Sequence, residues 1–378
     1  MMKLKLIFTG VCIAGCAGAF ETDDAYNREI RANQAFVKAD QTRDYKLSEA
    51  DGESWTTYGN LDLDGDGVVT IQEFLAGADL PDPVWNGKVL RNVVYKRAGT
   101  ETCLMDIYEP RCPGEGKAPV FYYIHGGGWS GGSKEISGDI QRVMEQLSDR
   151  GFVCVSVMYR LVKAWNPDDP VLMRDCAVDC RDGLRFLKQH EEELNMDMDR
   201  VVAFGASAGG HLAQLMTYSG ANEFSGDSAL RGHAVEVAAG ISWFGPSDFR
   251  KECLFEWEGP GNKFSVGHWA RFIAKTDRFD YDSEDPRLQQ MAEEVSPVWW
   301  LKKDSAPLLH IHGDQDSVIP PHHAAHLKEH AEACGADVTV QIVQGAGHGW
   351  WAPGIEPDQK AIVQMTVDFA EEQVRRSK

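Results

Sequence analysis

Basic residues are scarce in this 378-residue chain, which has 38 lysines and arginines against 58 aspartates and glutamates and a formal net charge of -20. Nucleic acids and anionic membrane surfaces are bound through clustered lysine and arginine, so the charge balance excludes both as expected partners. The apolar fraction of 43%, with 10% aromatic residues, indicates instead a folded globular protein that buries a large core.

The nine cysteines are scattered along the chain, and no two of them form a Cys-x-x-Cys pair. A zinc site of the Cys-x-x-Cys type and a dense disulfide framework are therefore not expected. Cys103 and Cys112 flank LMDIYEPR and are a candidate disulfide, although buried free thiols are the preferred interpretation for most of the set. The sequence also contains no internal repeat of about 20 to 50 residues and no low-complexity tract.

Long apolar runs are missing apart from one stretch of roughly ten residues behind two lysines, in the N-terminal MMKLKLIFTGVCIAGCAGAF. This stretch is too short to anchor stably across a bilayer, so residues 1–19 are predicted to be a signal peptide. The sequence AGA fits cleavage before Phe20, while IAGC fits a lipobox that would place a lipid anchor on Cys16, and both alternatives stay open. Either one predicts a secreted, periplasmic or outer-membrane lipoprotein of a bacterium.

Residues 20–80 are acidic, and the segment DLDGDGVVTIQE has the layout of an EF-hand calcium loop. Calcium prefers oxygen ligands, which here would be Asp62, Asp64, Asp66, Val68 through its carbonyl, Thr70 and Glu73. The weaker loop DQTRDYKLSEAD offers Asp40, Thr42, Asp44, Lys46 through its carbonyl, Ser48 and Asp51. There Tyr45 replaces the glycine, and Asp51 is shorter than the usual glutamate. We expect a small all-α EF-hand-like domain with structural calcium in the second loop, and the first loop stays open.

The pattern changes after PDP at 81–83, within a predicted linker over residues 81–88. Apolar strand-like runs such as VFYYIHG, FVCVSVMY and VTVQIV then alternate with amphipathic helical stretches. Strands that are apolar throughout are buried on both faces, which is typical of a parallel sheet covered by helices. Residues 89–378 are therefore predicted to form one α/β domain with a mostly parallel central sheet.

A candidate nucleophile lies in GASAGG at 205–210, where Ser207 stands between strand-like RVVAF and helix-like HLAQLMTY. A serine on such a bend is exposed at the helix N-terminus. Serine needs a base, and the base needs an orienting carboxylate. The later segments HGDQDSVIP and GAGHGW supply Asp316 and His348, with Asp314 as the competing carboxylate.

Backbone donors for a developing negative charge are predicted in HGGGWSGG at 125–132, which follows a strand-like run. Glycines let main-chain N–H groups approach such a charge closely. Gly127 and Gly128, together with the amide of Ala208, are the predicted oxyanion-hole donors. Which two glycines point inward stays open.

From about Val89 onward the chain resembles the α/β-hydrolase esterases and lipases, a group that includes hormone-sensitive-lipase-like carboxylesterases, feruloyl and acetyl-xylan esterases and kynurenine formamidase-like enzymes. The resemblance is carried by HGGGW, YRL at 159–161, DRVVAFGASAGGHLA, HGDQDSVIP and GAGHGW. It implies the α/β-hydrolase fold, a serine carboxylesterase without a catalytic cofactor, and the triad above. In the family pattern the carboxylate lies four residues after His312, which favours Asp316. The implied substrate is a small-molecule or polysaccharide-linked ester, for example an acetyl or feruloyl ester of plant polysaccharide.

Three alternatives stay open: formamidase activity, peptidase-like hydrolysis, and a non-catalytic calcium-dependent binding or scaffold module. The oligomeric state is undetermined. Residues 249–296 fit a lid whose aromatic residues wall a pocket or pack on the body, and the pocket candidates are Trp129, Trp243 and Phe244. His322, His326 and His330 recur every four residues, and a solvated helix face is preferred over a metal site for them.

Overall fold

The computed structural model describes residues 87–250, 266–275 and 286–377, together with Val68, Val69 and Trp85. The predicted signal peptide and all predicted calcium ligands except Val68 lie outside the described residues. The same holds for residues 251–265 and 276–285 of the predicted lid. Within the described ranges no helix combines the length and the apolar character that a membrane span requires.

Within the residues that the structure describes, eight strands form one sheet with the spatial order β1-β2-β4-β3-β5-β6-β7-β8. β1 and β2 pair antiparallel, as do β2 and β4, and every later neighbouring pair in this order is parallel. The predicted mostly parallel sheet of an α/β-hydrolase fold is therefore confirmed. The strands are β1 (Val89–Ala98), β2 (Glu101–Tyr108), β3 (Ala118–Ile124), β4 (Val153–Val157), β5 (Met196–Ala206), β6 (Ala239–Trp243), β7 (Leu308–Gly313) and β8 (Val338–Val343).

Helices cover both faces of this sheet. They are α1 (Gly138–Asp149), α2 (Met173–Gln189), α3 (Ala208–Tyr218), α4 (Val266–Ala274), α5 (Pro286–Glu294), α6 (Pro297–Trp300), α7 (His322–Cys334) and α8 (Gln359–Arg376), with a 3₁₀ turn at Ser228–Leu230. Residues of α2 and α3 belong to one buried apolar cluster, and residues of α1 and α8 belong to a second one.

The second half of the central strand β5, from Val201 to Phe204, shows why the buried part of a strand is apolar. Val201 and Ala203 belong to the first cluster, whereas Val202 and Phe204 belong to the second. Successive side chains of a strand point to opposite faces, so a strand between two helical layers buries every side chain.

The carboxyl ends of four parallel strands meet at one edge of the sheet. β3 ends at Ile124, β5 at Ala206, β6 at Trp243 and β7 at Gly313. In open α/β sheets, ligands bind beyond the carboxyl ends of the strands. The loops that follow these strands carry most of the residues predicted to act in the site.

Candidate active site

The bend between β5 and α3 holds Ser207 in an unusual backbone conformation, with φ 55° and ψ -122°. A positive φ is costly for a residue with a side chain, and such strain persists only where the surroundings hold it. The Ser207 N–H donates to the carbonyl oxygen of Trp243 at 2.9 Å, which ties the bend to the end of β6. A Cβ on Gly209 would lie 2.0 Å from the carbonyl oxygen of Ile124, so only glycine lets α3 begin this close to β3.

The structure brings Ser207, His348 and Asp316 together from three separate loops. Nε2 of His348 lies 2.9 Å from Oγ of Ser207, and Nδ1 of His348 lies 2.7 Å from Oδ2 of Asp316. These distances permit proton transfer from the serine to the imidazole. Because the carboxylate accepts the hydrogen on Nδ1, Nε2 is left with a lone pair that faces the serine.

The Asp316 side chain is buried, and both of its oxygens accept hydrogen bonds. The backbone N–H groups of Val318 and Ile319 donate to Oδ1 at 2.8 Å and 2.9 Å. Burial alone would raise the pKa of Asp316, but the His312 and His348 rings lower it overall, well below the usual range. The competing Asp314 instead accepts from the Gly345 N–H at 2.7 Å, so it fixes the loop and does not contact His348.

The glycine loop after β3 lies beside the serine. A Cβ on Gly126 would lie 3.5 Å from Cβ of Ser207, which shows how closely the loop approaches. Gly127 and Gly128 have positive φ values of 111° and 59°. The amides of Gly127, Gly128 and Ala208 donate to no acceptor among the described residues. They are therefore available to an oxyanion at Ser207.

A cavity of about 580 Å³ opens over Ser207 and His348. Trp129, Trp243 and Phe244, which the sequence suggests as pocket residues, all line it. Its other aromatic walls are Trp269 of α4 and the pair Trp350 and Trp351. The sequence reasoning missed that pair, although two tryptophans directly after GAGHG were a visible signal.

Hydrogen bonds hold two of the tryptophan walls in place. Nε1 of Trp129 donates to Nδ1 of His211 at 3.2 Å, and Nε2 of His211 donates to the carbonyl oxygen of Val295 at 2.7 Å. Burial lowers the pKa of His211 to about 4, so the ring stays neutral and Nδ1 can accept. Nε1 of Trp243 donates to Oγ1 of Thr366 at 3.0 Å. Trp129 and Trp243 are therefore fixed walls of the cavity.

Within the predicted lid, three aromatic residues are described. Phe249 and Phe272 pack in the apolar cluster on the α2 side, and Trp269 both packs there and lines the cavity. Phe255, Trp257 and Phe264 lie outside the described residues. The described part of the segment thus combines packing on the body with one cavity wall.

The expectation of a solvated helix face is wrong for His326 of α7, which is buried. Its Nε2 donates to Oδ2 of Asp248 at 2.7 Å. Arg250 binds the same carboxylate through Nε and Nη2 at 2.9 Å and 2.8 Å, and Nη2 lies 3.4 Å from Nε2 of His330. Asp248 and His330, two of the three groups that could hold a metal ion here, are thus both in contact with the guanidinium of Arg250.

The candidate disulfide between Cys103 and Cys112 is also wrong. Both residues are free thiols, with Cys103 buried in the core and Cys112 exposed. Burial raises the pKa of Cys103 to about 12, so this thiol stays protonated and unreactive.

Comparison with known proteins finds relatives that are named as ester hydrolases. Over 249 residues the chain is 26% identical to Esterase LipC of Mycobacterium tuberculosis (strain ATCC 25618 / H37Rv), covering 65% of this chain and 57% of LipC. Over 207 residues it is 27% identical to that organism's Probable carboxylic ester hydrolase LipM, covering 54% of this chain and 43% of LipM. The chain thus spans about half the length of these two relatives.

The structure of a thermophilic esterase from Thermogutta terrifontis, Est2, matches with a TM-score of 0.57 and 23% sequence identity. The match covers 76% of this chain and 90% of Est2. At this level of identity the likeness shows a shared fold. Residues 105–331, more than half of the chain, match the BD-FAE family. The chain therefore belongs to the BD-FAE family.

Proposed function

We propose that the protein is a serine carboxylesterase that works through an acyl-enzyme. The observation that carries this proposal is the unbroken contact from Ser207 through His348 to Asp316 beneath an open cavity. Both mycobacterial relatives are named as ester hydrolases, which supports the same reaction class.

In the first step, Nε2 of His348 takes the hydroxyl proton while Oγ of Ser207 attacks the ester carbonyl carbon. The negative charge that develops on the carbonyl oxygen is stabilised by the amides of Gly127, Gly128 and Ala208. Each such donor contributes several kcal/mol, roughly 3, to lowering the barrier. Collapse of the tetrahedral intermediate breaks the bond to the alcohol oxygen, which leaves with the proton from His348.

In the second step, water reacts with the acyl-enzyme. Nε2 of His348 takes a proton from the water as its oxygen attacks the acyl carbon, and the same proton returns to Oγ of Ser207 as the acid leaves. Asp316 stays ionised throughout and stabilises the imidazolium. No cofactor is needed for either step.

The proposed substrate is a carboxylic ester with one apolar part. Tryptophan and phenylalanine walls surround the reacting atoms, and such rings bind acyl or aryl groups through apolar contact. We extend the proposal to acetyl or feruloyl esters of plant polysaccharide, which a secreted esterase would meet outside the cell.

The test is hydrolysis of p-nitrophenyl esters of increasing acyl length, followed by methyl ferulate and acetylated xylan. We expect turnover by the wild type and a loss of about 10⁴-fold or more in Ser207→Ala. The matched control is Ser130→Ala in the exposed part of the glycine loop, which should retain turnover. Absence of hydrolysis by folded wild-type protein with every ester would refute the proposal. Cleavage of formanilide or a peptide anilide in place of esters would favour the formamidase or peptidase alternative.

We also propose that calcium bound by residues 62–73 is structural, and that the protein is exported. The support is the ligand spacing of that loop, together with Val69 at its apolar eighth place, which is completely buried. Chelation by EGTA is expected to lower the melting temperature and leave turnover at 25 °C unchanged. Loss of turnover without loss of stability would contradict a structural role.

Cell fractionation and lipid labelling of wild type and Cys16→Ser would distinguish secretion from a lipid anchor.

A further inference from the structure

Two buried histidines of β7 lie behind the triad, and the proposed mechanism uses neither. His310 and His312 are alternate residues of the strand, so they share one face, and both are completely buried. Nε2 of His310 lies 3.1 Å from Nδ1 of His312. Nε2 of His312 lies 2.9 Å from the carbonyl oxygen of Ile319 and 3.5 Å from Oδ2 of Asp316. A chain of polar contacts therefore leads from the sheet core to the catalytic carboxylate.

The partners of these rings determine where their hydrogens lie. The Ile319 carbonyl and the Asp316 carboxylate only accept, so Nε2 of His312 carries the hydrogen. With one hydrogen on each ring, Nδ1 of His312 accepts and Nε2 of His310 donates to it. Nδ1 of His310 remains as a buried acceptor without a partner among the described residues. Burial lowers the pKa of His310 well below its usual range, so this ring stays neutral.

His312 reaches the carboxylate by two routes. One is the direct approach of its ring to Oδ2, the oxygen that also accepts from Nδ1 of His348 at 2.7 Å. The other passes through Ile319, whose carbonyl accepts from His312 and whose N–H donates to Oδ1 of Asp316 at 2.9 Å. The His312 ring thus holds the turn at 316–319 through contacts at both ends of the turn.

The unpaired nitrogen of His310 makes this arrangement costly for the fold. A buried acceptor without a donor is destabilising, and an apolar side chain of similar volume would avoid the cost. Such a cost calls for an explanation, and a role at a functional site is one of them. The other end of the chain is the carboxylate that orients the catalytic base.

We propose that His312 is a positioning residue for Asp316 and that His310 fixes the His312 ring in its tautomer and orientation. This inference rests on the proposed esterase function, because it assigns both histidines to the same triad. A donor at Oδ2 withdraws charge from the oxygen that faces His348. Removing that donor should raise the pKa of His348 and loosen the carboxylate at once.

Other titratable groups near the base are accounted for. Asp314 is bound to the Gly345 amide, and Asp139 at the start of α1 lines the cavity wall. His323 of α7 is buried, and its Nδ1 accepts from the Ser247 N–H at 3.3 Å. Burial lowers the pKa of His323 to about 3. The His323 ring interacts electrostatically with His310 and His312, so the matched control is instead His190 at the end of α2, which contacts Glu193 through its Nδ1.

The first test is the pH dependence of kcat/KM in His312→Phe, which keeps an aromatic ring but removes both donor and acceptor. We expect kcat to fall by about tenfold and the acid limb to move up by about half a pH unit. His312→Gln retains an N–H donor and should restore part of both effects. His190→Asn should leave the acid limb in place. An unmoved limb in both His312 variants would overturn the proposal.

The second test is His310→Phe, for which we expect a roughly threefold fall in kcat with an unchanged or raised melting temperature. A fall in melting temperature with kcat unchanged would show a packing role only and would overturn the assignment of His310.

The low-field NMR signal of the His348 Nδ1–H gives a readout that needs no turnover. Identical titration of this signal in wild type and His312→Phe would contradict the inference, whereas a wild type without ester turnover would contradict the proposed function.

Discussion

Two buried polar groups of this protein follow opposite rules. One is an ion cluster between β1 and α2, made of Lys96, Arg160, Asp179, Asp182 and Arg185. Nζ of Lys96 lies 2.7 Å from an oxygen of each aspartate, Arg160 binds Asp179 at 2.7 Å, and Arg185 donates to Asp182 at 3.1 Å. All four carboxylate oxygens accept from a donor, so none of them is left without a partner.

The other group is the histidine chain, made of His310, His312, Asp316, His348 and Ser207. At one end, burial holds the His310 ring neutral, and Nδ1 of this ring has no partner among the described residues. At its other end Oγ of Ser207 faces the cavity. The ion cluster pairs every carboxylate oxygen, whereas the histidine chain, which moves a proton, keeps an open end toward the substrate.

The largest effect is expected from Asp316→Asn, which breaks the histidine chain at its centre. The amide would favour the wrong tautomer of His348, and kcat should fall by about 10⁴-fold, as with the equivalent change in serine proteases. Steady-state kinetics on a p-nitrophenyl ester would measure it. Asp314→Asn is the matched control and should stay within about threefold of wild type. Equal losses in the two variants would remove the distinction between the carboxylates.

A smaller effect, in stability alone, is expected from Asp179→Asn in the ion cluster. Removing one partner leaves Lys96 and Arg160 without their shared carboxylate, which should lower the free energy of unfolding by about 3 to 5 kcal/mol. Urea unfolding measures this change, and kcat of the folded fraction should stay near wild type. The control is Glu101→Gln, because Glu101 forms an exposed pair with Lys163 at 3.3 Å and should contribute little. Loss of kcat at full stability would show that the ion cluster also serves the site.

As the pH is lowered, the buried histidines and the paired carboxylates should change the free energy of unfolding over different pH ranges. The unfolded chain binds protons at histidine below about pH 6.5, while burial lowers the pKa of His125 and His211 to about 4 and of His323 to about 3. The unfolded state therefore gains protons first, and stability falls from about pH 6.5 downward. The pKa of Asp316 is also depressed, so its contribution is lost only below about pH 4.

We therefore expect the loss of unfolding free energy between pH 7 and pH 4.5 to be smaller by about 2 kcal/mol in His323→Asn. Urea unfolding at a series of pH values measures it. Asp316→Asn should follow the wild-type slope over that range and differ only below about pH 4. A slope that is the same in His323→Asn and wild type would show that this histidine does not carry the acid sensitivity.

The smallest effect concerns the cavity mouth. Trp351 is 79% exposed, and its ring lies against Gly349, next to the catalytic His348. In Trp351→Ala we expect KM to rise by about three- to tenfold for esters of ring-containing alcohols, with kcat unchanged. Trp165 is 66% exposed and stacks on Arg271 away from the cavity, so Trp165→Ala should change neither constant. A KM change of equal size for ethyl esters would contradict ring recognition.

The sheet was predictable because its strands are apolar runs, and such runs report burial on both faces directly. Ser207, Asp316 and His348 could be proposed because each follows a strand-like run within a short motif. Their mutual distances depend on the stagger of β5, β7 and β8, which no local pattern encodes. The preference for Asp316 over Asp314 came from a family spacing, and the loop geometry supplies its physical reason.

What the sequence could not predict depends on contacts between distant segments. The four-residue spacing of His326 and His330 showed one helix face, but Asp248 and Arg250 reach that face from the loop after β6. Likewise, the alternation of His310 and His312 showed a shared strand face. Their role becomes visible only because the turn at 316–319 folds back onto that face.

The amide of Ser207 is bonded to the end of β6 while its neighbour Gly209 abuts the end of β3. The reacting atoms are thus borne by the rigid frame of the sheet, whereas Trp269 and Trp351 reach the cavity from outside it. The catalytic residues and these two substrate-facing tryptophans therefore lie on different parts of the chain. Directed evolution could exchange these outer aromatic residues to obtain activity on new esters, while the geometry of the triad stays unchanged.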